Sequence, residues 1–125
     1  MSLTLLLTIS GGLETLVGAM ALILPASVIE MLLGTLIDPR ALVLTRLFGA
    51  GIFALGLACL MARKAFRSPA GLAVTYAITS YNILAAAVLF WATTSLVPPS
   101  PILWAAAIGH ALLSALFVHA LVVLR

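Results

Sequence analysis

Residues 38–64 read DPRALVLTRLFGAGIFALGLACLMARK, an apolar run long enough to cross a bilayer with one arginine, Arg46, set inside it. A spanning helix needs about 20 predominantly apolar residues at roughly 1.5 Å each. A cation within such a span costs about 2.5 to 3.5 kcal/mol on insertion scales, and more if it stays unpaired. The run therefore demands a helical membrane segment, and it predicts a partner for Arg46 elsewhere in the chain.

Composition excludes the soluble alternative. The 125 residues are 65% hydrophobic and 7% charged, with a mean hydropathy of +1.34, whereas soluble domains carry roughly 25% charged residues. A net charge of +3 would fit a nucleic-acid binder, but of the six basic residues three stand together at Arg63, Lys64 and Arg67. That grouping is the mark of a cytoplasmic anchor rather than of a nucleic-acid surface. The lone cysteine, Cys59, excludes an internal disulfide and any multi-cysteine metal site. It lies among Ala58, Leu60 and Met61 and reads as a small helix-packing residue. Residues 1–24 lack a basic leading region and carry Glu14 in their middle, so they are expected to stay as a helix rather than be cleaved as a signal peptide.

Start and stop signals set the number of spans. Pro25 ends the first apolar run. Asp38 with Pro39, Ser68 with Pro69 and Ser100 with Pro101 each place an N-cap residue before a proline at the first helical position. The predicted fold is all-α, an integral-membrane four-helix bundle in one transmembrane domain, with spans near 3–24, 39–62, 69–92 and 101–124. Between the first two spans, residues 26–37 predict a short interfacial helix ending near Gly34, with Glu30 opposite Val28, Ile29, Met31 and Leu32. Arg63, Lys64, Arg67 and Arg125 fall on one side and Arg40 on the other, which predicts both termini in the cytoplasm of a bacterial inner membrane. Trp91 and Trp104 flank the second outer loop as interfacial anchors.

One polar residue in each span falls at a common depth. Measured from the outer surface, Arg46 lies roughly 10 Å in, His110 roughly 13 Å, and Glu14 and Asn82 roughly 15 Å. The first span places Glu14 among Gly11, Gly18 and Ala21, and Thr75, Thr79, Asn82, Ala86 and Thr93 share a face of the third. Gly49, Ala50, Phe53 and Gly56 flank the Arg46 side of the second, and Ala106, Ala107 and Ser114 surround His110 in the fourth. The expected cluster pairs Arg46 with Glu14 and closes with Asn82 and His110, with Tyr81, Thr79 and Ser114 at its edge. Such a cluster either locks the bundle or lines a cavity for a quinone, a lipid head group or a proton.

His110 and His119 occur as AAIGH and ALFVH, a context that also suits a single axial ligand to a tetrapyrrole. Nine residues apart, they point to opposite sides of one helix and do not share a metal ion. HExxH, CxxC, a glycine-rich phosphate loop and a carboxylate pair are all missing, so no catalytic residues are assigned.

The segments GGLETLVGAMALILP, TRLFGAGIFALGLACLMAR, YNILAAAVL and IGHALL resemble small four-helix bacterial membrane proteins of the DoxX-like type over nearly the whole chain. The resemblance implies an accessory or anchoring subunit of a larger membrane complex, redox or photosynthetic, with other membrane subunits as partners, and it carries over no catalytic residues. Arg46 to Gly49, Arg-x-Phe-Gly, is more faintly similar to the four-helix scaffold protein of fungal sterol synthesis. The small multidrug resistance family is similar in size and in its first-span glutamate, which would make Glu14 the proton carrier of a transporter. Such a transporter needs an uncompensated carboxylate in an aromatic chamber, and Arg46 is expected to compete for Glu14.

Overall fold

The computed structural model describes residues 2–34, 38–95 and 99–123. Within them the chain forms five helices, α1 (Leu3–Ile23), α2 (Pro25–Leu33), α3 (Pro39–Ala62), α4 (Pro69–Ser95) and α5 (Pro101–Val123). Four of these, α1, α3, α4 and α5, are long and apolar enough to cross a membrane, and they make this an all-α, multi-pass membrane protein.

α3, α4 and α5 start where their caps predict. Asp38 Oδ1 accepts from the Arg40 amide at 2.9 Å, Ser68 Oγ from Gly71 at 3.1 Å and Ser100 Oγ from Leu103 at 3.0 Å. α2 ends at Gly34, whose φ of 64° is the left-handed conformation that glycine takes at a helix C-terminus without steric cost. α4 runs to Ser95, past the expected end near residue 92, and Thr93 and Thr94 in its last turn return their hydroxyls to the carbonyls of Phe90 and Trp91. Residues 35–37 of the expected interfacial stretch, 96–98 of the expected outer loop, and the predicted helix end at Leu124 with the basic Arg125 lie outside the described residues.

The bundle is two helix pairs, α1 on α3 and α4 on α5, that meet each other more sparsely. Glycine sets the first pairing. A Cβ on Gly18 would fall 2.5 Å from the Phe53 amide nitrogen, and one on Gly56 would fall 2.5 Å from the Thr15 amide nitrogen. The backbones of α1 and α3 touch directly, which is how membrane helices gain packing when lipid supplies no hydrophobic drive.

The two ends of the bundle differ. Toward the α3–α4 connection, Leu3, Leu6, Leu7, Cys59, Ile78, Phe117 and Ala120 form a dry buried core. Toward the other end α2 lies against the bundle, with Pro25 and Ile29 buried. Ser100 Oγ ties it to α5 by donating toward the carbonyls of Leu32, at 2.7 Å, and Met31, at 3.2 Å. Leu16, Leu47, Met61 and Leu84 are among the large apolar side chains that face outward, as a lipid-contacting surface requires.

Candidate functional site

The α2 half of the bundle holds a pocket of about 520 Å³ to which all five helices contribute. Its polar lining residues are Glu14 from α1, Tyr81 from α4 and His110 from α5; the rest of the wall is apolar, including Val17, Val28, Ile52, Ala85 and Leu113. Leu13 and Val17 of α1, Phe48 of α3 and Leu84 and Val88 of α4 line it and are exposed, so the pocket opens sideways, toward where hydrocarbon would lie.

Helix periodicity explains which side chains arrive. On α1, Glu14 shares the buried stripe of Gly11, Gly18 and Ala21 and is itself only 5% exposed. On α4 two adjacent stripes run in parallel. Thr75, Thr79, Asn82 and Ala86 are buried in the bundle, while Tyr81, Ala85 and Val88 line the pocket. Thr75 and Thr79 return their hydroxyls to the carbonyls of Gly71 and Thr75, at 2.8 and 2.6 Å. Ser114 does the same to the His110 carbonyl at 2.8 Å. The predicted edge residues Thr79 and Ser114 are therefore satisfied within their own helices, and they do not line the pocket.

Asn82 is fully buried and holds His110 from behind. Its Nδ2 donates to the Ile78 carbonyl at 2.8 Å, and its Oδ1 lies 2.8 Å from His110 Nδ1. A carbonyl can only accept, so the amide NH₂ must face Ile78 and the amide oxygen must face the ring. His110 Nδ1 therefore carries the proton and donates it to Asn82. In the neutral imidazole Nε2 is then a lone pair, and it has no protein partner among the described residues. The Tyr81 ring stands edge-on to the imidazole, centroids 5.5 Å apart at 84°. The Tyr81 hydroxyl and the Glu14 carboxyl lie within interaction range of each other on the pocket wall.

Three of the four residues predicted to cluster, Glu14, Asn82 and His110, do gather here, and Tyr81, expected only at the edge, packs against His110 and lines the pocket with Glu14. Its spacing with Ala85 and Val88, a second pattern on the same helix, was the signal for it. Arg46 is the correction. It is exposed, forms no ion pair with Glu14, and donates from Nε to the Leu22 carbonyl at 3.2 Å. The buried stripe of α3 passes through Gly49, Ile52, Gly56 and Cys59, which puts position 46 about 100° off that line at 100° per residue. Leu22 lies in the last turn of α1, where carbonyls lack helical partners and the dipole is negative, so that terminus supplies the compensation.

Replacing Arg46 by Met is accordingly expected to cost about 0.3 to 1 kcal/mol, the range for a cation at a helix C-terminus. Breaking a buried ion pair would cost about 3 to 5 kcal/mol. Reversible unfolding in mixed micelles separates the two.

His119 is exposed, away from the pocket. Among the described residues no three His, Cys, Asp or Glu side chains are placed to hold a metal ion. No protein-family model, curated protein or solved structure matches the chain.

Proposed function

We propose that this protein is a small accessory subunit of a bacterial inner-membrane complex that binds a lipophilic molecule, quinone-like or lipid-like, with its head group at Glu14, Tyr81 and His110. One observation carries the proposal: the polar groups of a pocket of about 520 Å³ converge on one region of an otherwise apolar wall that opens toward lipid. Pockets of this kind, apolar with a few convergent polar groups, take ligands with an apolar body and an oriented head.

Binding is favoured over passage. The dry core of Leu6, Leu7, Ile78 and Phe117 fills the opposite half of the bundle, whereas a proton-coupled transporter built on Glu14 needs alternating access from both sides. The basic residues Arg63, Lys64 and Arg67 follow α3 at the core end, and by the positive-inside rule they support a pocket in the outer leaflet. The DoxX-like resemblance and the apolar outer faces support assembly with other membrane subunits.

Tritiated 4-decylphenol tests the binding. The purified protein in micelles is expected to bind it saturably, and Ala85→Trp, which fills the pocket from α4, is expected to weaken binding more than about tenfold, since it removes the space for the ligand. Equal uptake by the two proteins, or none by the wild type, would end the proposal.

A further inference from the structure

The hydrogen-bonding sense of the pocket selects among ligands, and this inference rests on the binding function proposed above. The Asn82 amide is fixed by the Ile78 carbonyl, and it takes the only proton of the neutral His110 ring at Nδ1. What His110 offers the pocket is therefore the Nε2 lone pair. That lone pair, an acceptor held in place by Asn82, is the group of fixed sense that a head group meets in the pocket. A ketone or ether oxygen placed there would face the lone pair and leave it without a hydrogen bond. A hydroxyl would satisfy it.

We propose that the pocket recognises a hydrogen-bond-donating head on an apolar body, a phenol or alcohol and hence the hydroxylated form of a quinone-like molecule, with His110 Nε2 accepting the hydroxyl proton. Asn82 is a positioning residue in this scheme. It touches no ligand, and it fixes which ring nitrogen carries the proton. The sideways opening beside Phe48, Leu84 and Val88 lets such a molecule enter from the hydrocarbon without its apolar part crossing water.

Competition against tritiated 4-decylphenol reads the preference directly, because 4-decylanisole has nearly the same shape and lacks only the donor. The phenol keeps its proton at pH 7, its class titrating near pH 10. The anisole and a decyl-substituted benzoquinone are expected to compete at least about tenfold more weakly, since a site built around a hydroxyl rejects analogues that leave its polar groups unpaired. His110→Phe is expected to abolish the discrimination while retaining apolar binding, and Asn82→Asp, which still accepts from Nδ1, to preserve it. Long-range ¹H–¹⁵N correlation of the imidazole, assigned with His119→Gln, is expected to show the Nδ1–H tautomer.

An Nε2–H tautomer or equal competition by the anisole would each overturn the donor rule while leaving a pocket that binds. Absence of saturable phenol binding would instead remove the binding function beneath it.

Discussion

Gly18→Leu is expected to unfold the contact between α1 and α3 and to cost more than about 3 kcal/mol, beyond the usual range for overpacking. The atoms that the new side chain would strike are the Phe53 amide nitrogen and Cα and the Gly49 carbonyl, at 2.5, 2.7 and 2.8 Å from its Cβ alone. Flexible side chains can rotate away from such a contact, but backbone inside a hydrogen-bonded helix cannot. The helices must separate, and the dispersion contacts along the whole seam weaken together. Gly56→Leu, opposed by the Thr15 backbone, is expected to behave alike. Gly12→Ala and Gly51→Ala meet nothing within 4 Å and serve as controls; they are expected to be neutral, or to gain up to about 1 kcal/mol of helix propensity. Reversible unfolding followed by circular dichroism checks the set, and a Gly18→Leu protein as stable as wild type would contradict the direct backbone contact.

The second large effect is expected at Asn82, where substitution by Leu removes the acceptor for His110 Nδ1–H and should cost about 1 to 3 kcal/mol. The asymmetry between losing one partner and losing both provides the check. With His110→Phe added, no donor is left orphaned, and part of the stability is expected to return. The coupling from the four-variant cycle should fall near 0.6 to 1.7 kcal/mol, as for hydrogen bonds between membrane helices. Strict additivity would mean that the two side chains do not interact. Asn82→Leu also frees the ring to place its proton on Nε2, so it should weaken phenol discrimination without touching the pocket wall.

Local chemistry was legible along the chain. Proline with a preceding cap residue set the starts of α3, α4 and α5, because cap and proline act within one turn and need no tertiary partner. Glu14 and Asn82 were read as inward-facing from the small residues on their stripes, and both are buried. Arg46 was misplaced for an equally physical reason. Depth along a span does not fix azimuth, and an arginine can reach a neighbouring carbonyl terminus instead of the axis. Tyr81 was undervalued because the helical wheel assumes one buried face, and α4 has two, one packed in the bundle and one lining the cavity.

By itself the sequence determined that this chain enters a membrane as helices, how many spans it has and where most of them begin. Those properties follow from hydrocarbon length and from groups that act on their immediate neighbours. Only the tertiary structure decided that α1 seats on α3 through bare backbone, that one end of the bundle is dry while the other is hollow, and that the imidazole faces the cavity as an acceptor. Each of these depends on how two helices approach and rotate against each other. A few ångströms or tens of degrees there reverse which groups meet, and no spacing along one chain records that.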